Sequence, residues 1–61
     1  GLMPSLEDRV DYILGKHLKT AFEEIDEALK LYSGHNRTDV WHILDTRGDL
    51  TDDFNDWENE Q

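Results

Sequence analysis

Three histidines, a run of aspartates and a few hydroxyls are the side chains here that could do chemistry, and their spacing limits what that chemistry can be. His17, His35 and His42 include no pair four residues apart, the separation that puts two metal ligands on one helix face. A metal site would need His35, His42 and a carboxylate such as Asp39 to converge from separate turns. The plainer reading makes His17 an interface histidine and leaves His35 and His42 on the surface. If His17 met its own symmetry mate, protonation near pH ~6 would bring like charges together and weaken association in acid.

Asp45, Asp49, Asp53 and Asp56 resemble a calcium loop only at first sight. With Asp45 first, Arg47 occupies the third position, where an oxygen ligand is needed, Gly48 comes two residues early, and the closing ligand is Asp56 instead of a bidentate glutamate. Nucleophilic catalysis has little to draw on, because Ser5, Thr38 and Thr51 are placed as helix caps, with Asn36 the alternative to Thr38, and Ser33 as a turn residue. Acid–base work by a carboxylate needs a water-poor pocket, which 61 residues hardly enclose. No glycine-rich phosphate loop is present. The expectation is a protein without enzymatic activity, cofactor or metal.

Charge narrows the partners. Fifteen acidic residues stand against six basic ones, a formal net of −9, and residues 45–61 hold seven of those acids with one base. A surface so negative excludes direct contact with nucleic acid, whose affinity comes from neutralised phosphates, and disfavours an anionic membrane. No apolar run approaches the ~18 residues that span a bilayer, and neither a signal-peptide pattern nor a cysteine suggests secretion, so a cytoplasmic location is expected. Asn36-Arg37-Thr38 matches the glycosylation sequon by pattern alone. Gly1-Leu2 ahead of Met3 reads as a cloning remnant.

The elements that position these residues are helices. Leu6, Val10, Ile13, Leu14, Leu18, Ala21, Phe22, Ile25, Ala28, Leu29 and Tyr32 recur at helical spacing, with Ser5 as N-cap and Ser33-Gly34 beyond the far end. The spacing predicts one amphipathic helix over 6–32, with a kink permitted at Gly15, followed by short helices over 38–46 and 51–58 folded back on it. The class is all-α and the chain a single small helical domain over 1–61, with a flexible start at 1–4 and a frayed tail at 59–61.

An unbroken first helix would run about 40 Å, whereas the two short helices together span about 26 Å. The stripe therefore outreaches its own cover. Leu6, Val10, Ile13, Leu14, His17 and Leu18 are expected to face another polypeptide, most simply a second copy in a homodimer. Asp45, Asp49, Asp52, Asp53, Asp56 and Glu58 form the expected acidic face toward a partner, with Trp41, Phe54 and Trp57 as aromatic anchors or, equally, as core. These readings lead to a small acidic interaction module that binds or inhibits a basic partner protein, including a nucleic-acid-binding one, in the manner of charge mimics and antitoxins. The alternative is a homo-oligomeric assembly protein whose acidity only keeps it dissolved.

Overall fold

Helix α1, Leu6–Leu14, begins where Ser5 Oγ accepts the Asp8 backbone N–H at 3.1 Å, with Glu7 and Asp8 in the first turn at the positive end of the helix dipole. It stops well short of the expected end. Gly15 and Lys16 donate their N–H groups back to Tyr12 and Ile13, tightening the last turn, and the chain restarts as α2, Leu18–Leu29. A computed structural model of the chain describes residues 3–16 and 18–61, apart from the side chains of residues 18 and 19.

The break corrects the single long helix. Gly15 has φ −75° and ψ −8°, a conformation open to any residue, so left-handed geometry does not force the interruption. Burial does. In one straight rod the two halves of the stripe point the same way and neither can cover the other. Folded between α1 and α2, they meet: Leu6, Val10 and Ile13 of α1 share one core with Ala21, Phe22, Ile25 and Ala28 of α2. The break forfeits a few intrahelical hydrogen bonds at a point where glycine has already weakened the helix.

Two more helices complete an all-α fold, with no strand among the described residues. Helix α3, Arg37–Gly48, opens on a capping box in which Asn36 Oδ1 accepts from Thr38 N and Asn36 N donates to Asp39 Oδ2, both at 2.9 Å. Its Val40 and Leu44 are buried. It ends at Asp49, held in the left-handed region at φ 60°, where the chain turns into α4, Thr51–Asn59. Thr51 is not the cap expected of it: it is the first helical residue, its hydroxyl donates to the Trp41 carbonyl at 3.2 Å, and Leu50 takes the N-cap position without a capping bond.

Phe54 closes the core from α4, edge-on to Phe22 with ring centroids 5.4 Å apart and stacked on Trp57 at 5.7 Å. Helix α1 packs on both α2 and α3, and α3 on α4. The longest dimension is 34 Å, shorter than the ~40 Å of an unbroken helix over 6–32. Consequently the face reserved for a second chain is internal. Leu6, Val10 and Ile13 are buried and Leu14 is half-buried against the same core, while His17 and the side chain of Leu18 lie outside the described residues. The length mismatch from which a homodimer was expected does not exist in the fold.

Candidate functional site

Lys16, Lys30, Arg37 and Arg47 are committed to particular carboxylates, and that allocation shapes the surface. Arg37 at the start of α3 reaches Asp26 Oδ1 on α2 with Nε and Nη2, at 3.3 and 2.9 Å, and Glu58 Oε2 on α4 with Nη1 at 2.7 Å. Hydrogen bonding to Asp26 raises its already high pKa despite some desolvation, with Glu58 adding to the effect. Arg47 bridges α3 to α1 through Glu7 at 3.0 Å and Asp11 at 3.5 Å. Lys16 holds Glu24 and Lys30 holds Glu27, each at 3.1 Å. Arg9 and Lys16 also lie over the Tyr12 ring, at 5.9 and 5.2 Å from its centroid.

Nothing comparable reaches the α3–α4 corner. Asp45, Asp49, Asp52, Asp53 and Asp56 are all exposed, and none pairs with a cation among the described residues. On α4, Asp52, Asp53, Asp56 and the C-cap Glu60 recur at i, i+1, i+4 and i+8, which gathers them on one flank of the helix, turned away from Phe54 and running beside Trp57. The structure thus leaves a continuous acidic strip facing solvent. Asp45 belongs to α3, and Asp53 and Asp56 to α4, so these aspartates do not share one calcium-binding loop.

Glu58 was expected on this face and is not free there. Its side chain is only 11% exposed, one oxygen bound to Arg37 and the other accepting the Trp41 indole N–H at 2.9 Å. The three aromatics lie against the core, the second of their two readings. Phe54 is fully buried, and Trp41 and Trp57 are half-buried against the core, Trp41 tied to Glu58 and Trp57 stacked on Phe54. The helical phase of Leu50, Phe54 and Trp57 already carried the inward reading for two of these three.

No family model, curated protein or solved structure matches the chain.

The remaining polar cluster surrounds an open cleft of ≈ 460 Å³ between the start of α1 and α3, lined by Ser5, Leu6, Glu7, Tyr32, His35, Asp39, His42 and Ile43. The Tyr32 hydroxyl donates to the Pro4 carbonyl and anchors the chain start to the α2–α3 turn. His35 Nδ1 lies 3.3 Å from Asp39 Oδ2, with the imidazole edge-on to Tyr32. Among the described residues no three metal-ligating side chains converge on a point. Asp39 is engaged in structure: the hydrogen bond from the Asn36 backbone, aided by His35, holds its carboxyl below the usual range.

A folded-state pKa below the unfolded one means stabilisation that is complete above the ordinary carboxylate pKa of about 3.9 and lost as pH falls through the lowered value. Titration of the Asp39 carboxyl carbon by NMR is therefore expected to show it protonating below the ordinary carboxylate pKa of about 3.9. The Asn36 amide should lose exchange protection in the same acid range. An Asp39 that titrates at or above that ordinary value would contradict the capping role.

Proposed function

We propose that the chain is a small cytoplasmic interaction module whose acidic α3–α4 face binds a basic partner protein, including one that itself binds nucleic acid. The observation that carries this reading is the allocation of charge: Lys16, Arg37 and Arg47 serve the inter-helix seams, Lys30 pairs at the end of its own helix, Arg9 lies over Tyr12 on α1, and five aspartates at one corner stand without counter-charge among the described residues. From Asp52 to Glu60 the helix rises about 12 Å and presents four carboxylates, one per ~3–4 Å. A DNA strand presents one phosphate per ~3.4 Å of rise. That match in linear charge density favours a partner whose surface already fits a polyanion, and uncompensated fields of this kind speed encounter and select partners by sign.

The test compares the chain with Asp52→Asn/Asp53→Asn/Asp56→Asn as bait in the native host. Because these side chains are exposed and serve no bond among the described residues, the variant is expected to fold normally. Partners bound through the acidic face should be lost from it, and should leave the unaltered chain when salt is raised to half-molar, since that strength shortens the Debye length to a few ångströms (~4 Å). Retention by the triple variant, or affinity indifferent to salt, would count against the proposal. No comparable observation now favours self-assembly. With Leu6, Val10 and Ile13 internal, sedimentation is expected to show a monomer.

A further inference from the structure

Charge alone gives fast encounter and modest affinity, and tight binding usually adds an apolar contact sheltered from water. Because Trp41, Phe54 and Trp57 are turned inward, such a contact has to be made elsewhere. The large hydrophobic side chains left most exposed among the described residues are Met3, Tyr12 and Leu31. Leu31, 66% exposed just past the end of α2, lies on a concavity: an open groove of ≈ 460 Å³ along α1 and α2 whose apolar lining is Ala28 and Leu31. The ionisable groups on its walls are Arg9 from α1 and Glu23, Glu24 and Glu27 from α2.

The walls are polarised. Glu24 and Glu27 each share a lysine, while Glu23 is exposed and meets no cation among the described residues. On the α1 side the Arg9 guanidinium rests over Tyr12 and pairs with no carboxylate among them. The groove therefore keeps an uncompensated carboxylate, Glu23, on its α2 wall and an uncompensated guanidinium, Arg9, on its α1 wall among the described residues, with an uncovered leucine in its lining. Resting on the interaction-module reading, we infer that this groove is the apolar half of the partner surface and takes a basic, amphipathic segment of the partner protein. One aliphatic side chain of that segment covers Leu31, and a lysine or arginine beside it lies toward Glu23. Arg9 repels the cation from the opposite wall and so sets the direction in which the segment lies.

The experiment titrates the intact chain with two synthetic peptides of equal charge, an amphipathic lysine–leucine helix and its analogue with every leucine replaced by alanine. The leucine peptide is expected to bind about tenfold more tightly, roughly the gain from covering one large aliphatic side chain. Leu31→Ser, at an exposed position outside the core, should erase that difference while leaving the alanine peptide's affinity unchanged. Arg9→Gln should raise affinity for the leucine peptide about threefold and for the alanine peptide by less, an improvement that misfolding cannot produce. Equal affinity for the two peptides, a silent Leu31→Ser, or no gain from Arg9→Gln overturns the groove. If binding is lost in the triple aspartate variant while Leu31→Ser is silent, the acidic face survives and the groove does not. If neither peptide binds, both readings fail.

Discussion

Phe54→Ala is expected to leave much of the population unfolded at physiological temperature. The phenyl ring is fully buried, stacked on Trp57 and edge-on to Phe22, and it is the fully buried side chain that α4 contributes to the shared core. Truncating a buried phenylalanine costs about 3–5 kcal/mol, because the transfer free energy is lost and the surrounding side chains refill the space only in part. A chain of this length has a total stability of about 3–9 kcal/mol at typical values per residue. The loss is therefore comparable to the whole. Thermal melting followed by far-ultraviolet circular dichroism should show a low, broad transition or none. A cooperative melt within a few degrees of the parent would mean that α4 is dispensable to the core.

Glu58→Ala is expected to cost about 2 kcal/mol, since it removes at one stroke the acceptor of the half-buried Trp41 indole N–H and a carboxylate paired to Arg37. For a domain of this size that is about 10 °C in melting temperature. Glu58→Gln separates the two roles. Its amide oxygen can still accept from Trp41 while the charge facing Arg37 is gone, and because the Arg37 side chain is nearly half exposed, screening makes the ionic part the smaller one. Glutamine should accordingly recover more than half of the loss. Tryptophan emission should shift in the alanine variant, where Trp41 loses its partner, and much less in the glutamine variant. If glutamine were as damaging as alanine, the ion pair would be the main contribution after all.

These two residues also show where sequence reasoning reached and where it stopped. Phe54 could be placed inward, because Leu50, Phe54 and Trp57 keep one helical phase. Glu58 could not be separated from its acidic neighbours, since a carboxylate one residue beyond Trp57 looks the same on paper as Asp56. What distinguishes it is a guanidinium 21 residues earlier in the chain and an indole 17 residues earlier, a meeting that exists only once α3 and α4 are packed. Leu31 falls between these cases. It is out of phase with the stripe through Ala28, Leu29 and Tyr32, which marks it as outward, but the groove beside it depends on how α1 crosses α2.

Taken by itself, the sequence determined the helical class, the cap at Ser5, the apolar stripe and the concentration of acid toward the C-terminus. All of these follow from local rules: apolar periodicity, side-chain acceptors for the first turn of a helix, and residue counts. Tertiary structure decided whether the amphipathic stripe would remain one rod or fold upon itself beyond Leu14. Local propensity nearly balances there, glycine weakening a helix whose phase continues through it. The choice goes to the arrangement in which Val10 and Ile13 are shielded by Ala21, Phe22 and Ile25 of the same chain, because apolar area removed from water outweighs the few helical hydrogen bonds given up at the break.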